Sequence, residues 1–211
     1  MPSAKLLLLL VAALFAVLPR TEAAELDGLV SSLKGGGYVI VFRHGATDDS
    51  QKDVFPFNFD DMSAQRQLNE KGRNTARDIG AALKKLAVPI GDVYTSRLHR
   101  AVETGRLIGG KEVSPTDALT DSSSGSASGM ANPDGKNVKA GRAVRELVDA
   151  APMQGMNNLA VTHKTNITDA FGKDFADIRE GEALIFKTSA SGPASFVTRV
   201  QAGQWAILAG N

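Results

Sequence analysis

Residues 38–47 read YVIVFRHGAT, a run of apolar and β-branched side chains that ends abruptly in Arg-His-Gly. A continuous apolar run of this length predicts a strand buried on both faces, as in a parallel sheet. Ligands of open α/β sheets bind outside the carboxyl ends of the strands. The run therefore places the side chains of Arg43 and His44 where a binding or catalytic site is expected.

Two further segments follow the same pattern. Residues 93–100 read VYTSRLHR and residues 159–163 read LAVTH, so each is a short apolar strand followed by arginine or histidine. The carboxyl ends of parallel strands meet at one edge of a sheet. Three predicted strand ends therefore bring two histidines and two or three arginines to one region.

Strands and helices alternate along the rest of the chain. The apolar spacing predicts further strands over residues 183–186 and 196–200, the last two forming a hairpin. It predicts helices over residues 26–33, 69–86, 99–108, 138–150 and 166–171. We therefore expect an α/β three-layer sandwich: a mostly parallel central sheet, helices on both faces and a late antiparallel edge strand.

The N-terminus is expected to be a cleaved signal peptide, residues 1–23. Lys5 precedes an apolar run from Leu6 to Leu18, and small residues precede the predicted cleavage site after Ala23. The run is shorter than the ~20 residues that a membrane span needs. We therefore expect a periplasmic or secreted protein without stable membrane insertion after cleavage, in which residues 24–211 form one domain.

The charge balance argues against a general affinity for polyanions. The chain has 24 basic and 23 acidic residues, and the predicted cleavage removes two basic residues and one acidic residue, which leaves no net charge. We therefore expect no nucleic-acid partner, and phosphate affinity must come from a local cluster. Three histidines without cysteine or a His-x-x-x-His pair predict no metal site, and we expect no cofactor. The oligomeric state does not follow from the sequence.

Three motifs carry a resemblance to a known family. They are Arg43-His44-Gly45, Ser96-x-x-x-Arg100-Ala101-x-x-Thr104 and Thr162-His163, in this order and each at a predicted strand end. With them the chain resembles the histidine phosphatase superfamily, which also contains the cofactor-dependent phosphoglycerate mutases. The resemblance covers roughly residues 37–187 and implies phosphoryl transfer through a phosphohistidine.

Phosphoryl transfer needs an in-line nucleophile, cations on the equatorial oxygens and a proton for the leaving group. By the resemblance, His44 is the nucleophile, and a hydrogen bond to its other ring nitrogen has to fix the tautomer. Arg43 and Arg100 would clamp phosphate oxygens. His163 would be the second catalytic imidazole and would also bind the phosphoryl group. Ser96, with the start of the helix that follows it, is a candidate for further donors.

The resemblance also indicates a general acid at Asp121. One branch of the family uses a glutamate in a Leu-x-Glu pattern after the second helix, and Leu119-Thr120-Asp121 stands at the corresponding place. Further candidates for this role are Asp117, Asp134 and Glu182. Residues 116–137 are rich in serine, glycine and aspartate and are expected to form a loop within the domain.

Neighbouring polar residues are expected to lie outside the catalytic centre. Arg97 is predicted at the rim or in solvent, His99 at the surface or in packing, and Lys164 in solvent. Arg66, with Lys52 in the same loop, is placed to meet a second charged group of a substrate.

The loop after the nucleophile also carries Phe55, Phe57 and Phe59. Alternating aromatic side chains in this place either wall a substrate pocket or cover the core as a small satellite cluster. We expect the second.

Two departures from the mutase pattern favour hydrolysis. Ala46 and Ser50 stand where mutases have glutamate and asparagine. Export points the same way, because glycolytic intermediates are not expected outside the cytoplasm. The sequence thus predicts an exported, metal-independent phosphatase of small or sugar phosphomonoesters. Two competing functions are a phosphoprotein phosphatase and a non-catalytic phosphate-binding protein that kept the anion pocket.

Overall fold

Six strands form one mixed sheet in the computed structural model, which describes residues 22–120 and 136–210. The strands are Tyr38–Arg43 (β1), Ile90–Thr95 (β2), Ser114–Pro115 (β3), Asn157–Thr162 (β4), Ala183–Lys187 (β5) and Ser195–Val200 (β6). Their order across the sheet is β3-β2-β4-β1-β5-β6. The first four in this order are parallel, whereas β5 pairs antiparallel with both β1 and β6. The predicted mixed α/β fold, with antiparallel pairs confined to one edge, is confirmed.

Helices cover both faces of the sheet. Those in the described residues are Glu22–Lys34 (α1), Glu70–Lys85 (α2), His99–Gly109 (α3), Lys136–Asp149 (α4), Lys164–Phe171 (α5) and Ala202–Leu208 (α6). The sequence predicted the first five with ends shifted by a few residues. It missed α6 and the two-residue strand β3, which are too short to show a period of their own.

Two apolar cores, one on each face, fix how the sheet is oriented. Along β1, Ile40 and Phe42 face the core formed with α1, α2, α3 and α6, while Val39 and Val41 face the core formed with α4 and α5. All four side chains are fully buried. Side chains of a strand alternate between faces, so a strand covered on both sides is apolar at every position. This explains the uninterrupted apolar run that precedes Arg43.

Two of the sequence predictions fall mostly on parts of the chain that the structure does not describe. Residues 1–21 of the predicted signal peptide lie outside the described residues, and so do residues 121–135 of the predicted loop. Across residues 22–120 and 136–210, no helix has the length and apolar character needed to cross a membrane.

Candidate active site

The two histidines lie side by side because β1 and β4 are neighbouring parallel strands. Arg43 is paired with Thr162 in register, so His44 and His163 leave the sheet at the same level. The backbone N–H of His44 donates to the carbonyl of Thr162 at 3.0 Å. The ring centroids are 5.1 Å apart, and each residue is 3% exposed. The predicted convergence of these two strand ends is present in the structure.

A single hydrogen bond fixes the tautomer of His44. Its Nδ1 lies 2.8 Å from the carbonyl oxygen of Gly45. A carbonyl oxygen only accepts, so Nδ1 carries the ring proton and Nε2 keeps its lone pair. The lone pair of Nε2 is what the predicted role of His44 as the nucleophile requires.

His163 is oriented by a serine of the second motif. Its Nε2 lies 2.8 Å from the hydroxyl oxygen of Ser96, which also accepts the backbone N–H of Leu98 at 3.1 Å. Ser96 is fully buried, and its hydroxyl hydrogen finds its acceptor among the described residues at Nε2 of His163. That leaves the proton of the neutral ring on Nδ1, which is buried without a partner in the described part of the chain. Ser96 thus orients His163, and the proton on Nδ1 of His163 is left as the available donor.

Arg100 comes to the same place from the first turn of α3 and is 1% exposed. The motif threonine, Thr104, explains how α3 is held there. Its hydroxyl donates to the carbonyl of Arg100 at 2.7 Å, and its oxygen accepts the backbone N–H of Gly45 at 3.1 Å. The second motif therefore ties its arginine to Gly45, the residue that follows His44.

Arg43 is the last residue of β1 and directly precedes His44. Its guanidinium donates to the carbonyl of Ile178 at 2.8 Å and to the carboxylate of Glu180 at 3.2 Å. Its Nε is buried and has no partner among the described residues. The phosphate-binding role of Arg43 and Arg100 stays a prediction, and the sequence did not predict the carboxylate of Glu180 against Arg43.

Both imidazoles are neutral at neutral pH. Burial, above all, lowers the pKa of His44 and that of His163 well below the usual 6.5. The pKa of His44 is lowered further by the neighbouring His163 and Arg100. The pKa of His163 is lowered by Arg100, then by Arg66 and Arg43.

Arg66 is thus a third cation of the site, and its Nε is buried without a partner in the described region. A phosphoryl dianion is the kind of ligand that such a group of donors fits.

The loop after His44 is packed against the start of α2. Asn69 caps this helix, and its side-chain amide donates to the carbonyl of Thr47 at 2.9 Å. Gly72 lies so close to Ala46 that a side chain on Gly72 would collide with the carbonyl oxygen of Ala46. The backbone next to the nucleophile is therefore fixed on one side by α2 and on the other by Thr104.

The sequence of this region matches a described family. A family model for the histidine phosphatase superfamily, branch 1, matches residues 39–164, more than half of the chain, and these residues include all three motifs. The chain belongs to the histidine phosphatase superfamily. The family resemblance found in the motifs is confirmed.

One curated relative matches part of the chain. A 2,3-bisphosphoglycerate-dependent phosphoglycerate mutase of Parvibaculum lavamentivorans is 30% identical over 104 residues, which cover 46% of this chain and 47% of the mutase. The chain thus matches about half the length of that relative.

The solved structures share the fold at low sequence identity. The protein histidine phosphatase SixA in complex with tungstate has a TM-score of 0.52 and 16% identity, over 79% of this chain and 98% of its own. YhfR of Bacillus stearothermophilus has a TM-score of 0.55 and 15% identity, over 78% of this chain and 98% of its own. A phosphoserine phosphatase of Entamoeba histolytica in complex with 3-phosphoglyceric acid has a TM-score of 0.52 and 16% identity, over 78% of this chain and 96% of its own. Identities this low show the fold alone.

The general acid of the site remains a prediction. Asp121 and Asp134, two of the carboxylates considered for it, lie outside the described residues. Asp117 pairs with Arg97, and its side chain is 82% exposed. Glu182 is buried and held at 2.6 Å by Arg199, so it supports the loop beside Arg43 rather than facing a substrate.

Residues predicted to lie outside the catalytic centre do so. Arg97 is half-exposed and stacks on the ring of Phe59 at 4.1 Å. His99 bonds through Nδ1 to the side chain of Gln67 at 2.7 Å. Lys164 is exposed.

The phenylalanine cluster of the loop differs from the expectation. Phe57 lies between Phe55 and Phe59, with ring centroids 5.6 and 6.1 Å away, and Phe55 is 54% exposed. The three rings pack on one another near Arg97 rather than over either core.

Sequence reasoning missed one carboxylate at the centre of the site. Asp53 accepts from the guanidinium of Arg100 at 2.8 Å, and the same oxygen accepts the backbone N–H of Arg66 at 2.9 Å. Asp53 belongs to a loop without periodic pattern, and no motif marks it. Its position depends on how residues 48–67 fold back over α3, which no local sequence signal predicts.

Proposed function

We propose that the chain is an exported phosphatase that hydrolyses small phosphomonoesters, sugar phosphates among them, through a phosphohistidine on His44 and without a metal ion. The observation that carries the proposal is the hydrogen bond from Nδ1 of His44 to the carbonyl of Gly45. It leaves Nε2 with a lone pair, in a ring whose pKa is lowered by burial. A neutral, oriented imidazole beside buried arginine is what an attack on phosphorus requires.

In the first step, Nε2 of His44 attacks phosphorus while the bond to the leaving oxygen breaks. Arg43 and Arg100 neutralise the equatorial oxygens, and Nδ1–H of His163 donates to one of them. In the second step, water attacks the phosphohistidine and releases inorganic phosphate. Hydrolysis rather than mutase chemistry is favoured because Ala46 offers no carboxylate where mutases have one.

The test is hydrolysis of an aryl phosphate in excess EDTA by the purified protein, by His44→Ala and by the matched variant His99→Ala. We expect EDTA-resistant turnover that His99→Ala keeps and that falls in His44→Ala to below about a thousandth of the wild-type rate. An acid-labile, base-stable phosphoenzyme should be trapped in the wild type and in His99→Ala but not in His44→Ala. Equal turnover in wild type and His44→Ala would contradict the proposal. Phosphate binding without any turnover would favour a binding protein.

One observation favours a phosphoprotein as a second candidate substrate. The loop that carries Asp53 exposes three apolar side chains near the site, Val54, Phe55 and Met62, each about half exposed. An apolar rim of this kind suits contact with a polypeptide. The neighbour SixA is a protein histidine phosphatase by name. A kcat/KM higher for a phosphorylated protein than for sugar phosphates would select this second candidate.

Export is tested separately, by fractionation and N-terminal sequencing of the protein from cells. We expect it in the periplasm or medium, with a new N-terminus at Ala24. Recovery of the uncleaved chain from the cytoplasm would contradict this part of the proposal.

A further inference from the structure

The carboxylate of Asp53 lies within the cationic centre of the site. Its Oδ1 is 2.8 Å from Nη1 of Arg100, and Arg100 is almost completely buried while the side chain of Asp53 is 22% exposed. The same arginine acts electrostatically on both His44 and His163. Asp53 thus contacts an arginine whose charge affects both imidazoles, and part of its own side chain is exposed to solvent.

The other described carboxylates near the site are less suited to reach a leaving group. Glu180 pairs with Arg43, whose charge affects His44 less than that of Arg100 does. Glu182 is held by Arg199 and by the backbone N–H of Arg179. Asp53 alone among these combines contact with the buried arginine and an open path to solvent, where the leaving group of a phosphomonoester must depart.

We propose that Asp53 is the general acid of this site, held on Arg100 while the site is empty and displaced by the phosphoryl group of a substrate. The proposal rests on the proposed phosphatase function. A phosphoryl dianion offers Arg100 a stronger partner than a carboxylate does. The displaced carboxyl group then lies beside a dianion, and a neighbouring negative charge favours its protonated form.

Asp53 gives a proton in the first chemical step and takes one back in the second. As Nε2 of His44 bonds to phosphorus and the P–O bond breaks, the leaving oxygen takes the proton of the Asp53 carboxyl group and departs as an alcohol. The carboxylate then takes a proton from the attacking water. The P–N bond breaks, inorganic phosphate leaves and His44 is neutral again. The Asp53 carboxyl group then returns to solvent the proton that it took up from solvent when the substrate bound, and its carboxylate pairs with Arg100 as before.

The experiment compares Asp53→Asn with wild type on phenyl phosphate, whose leaving group needs a proton, and on 2,4-dinitrophenyl phosphate, whose leaving group does not. We expect kcat/KM for phenyl phosphate to fall by about 100-fold or more, as for loss of a general acid, and that for the dinitrophenyl ester by less than about 5-fold. Inorganic phosphate should inhibit the variant at the same or lower concentration, because the side chain at position 53 no longer has a negative charge that competes with phosphate for Arg100.

Three further variants keep the outcome decisive. Asp60→Asn removes an exposed carboxylate from the same loop and should resemble wild type. Asp53→Glu keeps the acid and should retain at least about tenfold more phenyl phosphate activity than Asp53→Asn. Asp121→Asn tests the competing assignment.

Equal losses on both esters, or weaker phosphate inhibition, would show that Asp53 only positions Arg100 and would overturn the proposal. A selective loss in Asp121→Asn but not in Asp53→Asn would overturn it as well. Wild-type turnover that depends on His44 but not on Asp53 rejects this proposal alone. Absence of turnover in the wild type on both esters would reject the phosphatase function.

Discussion

At the scale of single residues, neutral hydrogen-bond partners orient the two imidazoles of the site. A peptide carbonyl fixes the proton of His44, and a neutral hydroxyl orients His163. Neither ring has a carboxylate partner among the described residues that would hold it in the imidazolium form. Burial and the neighbouring arginines both lower the pKa values of His44 and His163 and so keep both rings neutral.

Nitrogen NMR on histidine-labelled protein tests this arrangement. We expect His44 to show a protonated Nδ1 and an unprotonated Nε2, and neither His44 nor His163 to titrate as the pH falls from 8 to 5.5, because both pKa values lie well below 6.5. The variants His44→Ala and His163→Ala assign the signals. A titration of His44 near pH 6.5, or a proton on Nε2, would contradict the proposed nucleophile.

The sequence predicts four of the site residues for a simple physical reason. Arg43, His44 and His163 follow apolar strands at once, and Arg100 opens the helix after one, so the topology alone brings them together. Asp53 could not be predicted, because it reaches Arg100 across a loop whose path depends on many tertiary hydrogen bonds. The roles of Ser96 and Thr104 also needed the structure, since a motif gives residue types and not their partners.

At the scale of elements, the contact between α2 and the nucleophile loop is the tightest constraint. Gly72 lies in the first turn of α2, where Asn69 accepts its backbone N–H at 2.8 Å. The helix was predicted from its apolar period. The close approach to Ala46 was not, because one glycine in a sequence does not indicate what packs on it.

The substitution Gly72→Ala should therefore destabilise the protein by about 3 kcal/mol and reduce turnover, because the added methyl group must push Ala46 and, with it, His44. Gly203→Ala in α6 is the matched control, since a side chain there meets nothing within 4 Å. It should stabilise by about 0.5–1 kcal/mol through reduced freedom of the unfolded chain. Urea unfolding measures both, and equal effects would show that the contact is not rigid.

At the scale of the whole molecule, the two buried histidines couple stability to pH. Their pKa values in the folded state are lower than in the unfolded chain, where the usual value is about 6.5. Below pH 6.5 the unfolded chain binds more protons than the folded one, so acid favours unfolding. Their effect on stability is absent above about pH 7.5 and grows as the pH falls.

Urea unfolding at pH 7.5 and 5.5 measures this effect through the emission of Trp205, the single tryptophan of the chain, which is fully buried. We expect the free energy of unfolding to fall by up to about 1.4 kcal/mol per histidine for each pH unit below 6.5. His44→Asn should reduce the loss. The same pH dependence in wild type and variant would show that other groups dominate.

The sheet order also determines when the chain is able to fold. Strand β4 lies between β1 and β2, although it is made more than 60 residues after either. Until Asn157–Thr162 has been synthesised, β1 and β2 have no partner on their facing edges, and such open edges pair readily with other chains. Pairing of strands so distant in sequence is slow. We therefore expect a growing chain to be prone to aggregation until about three quarters of it has been synthesised, since β4 ends at Thr162 of 211 residues.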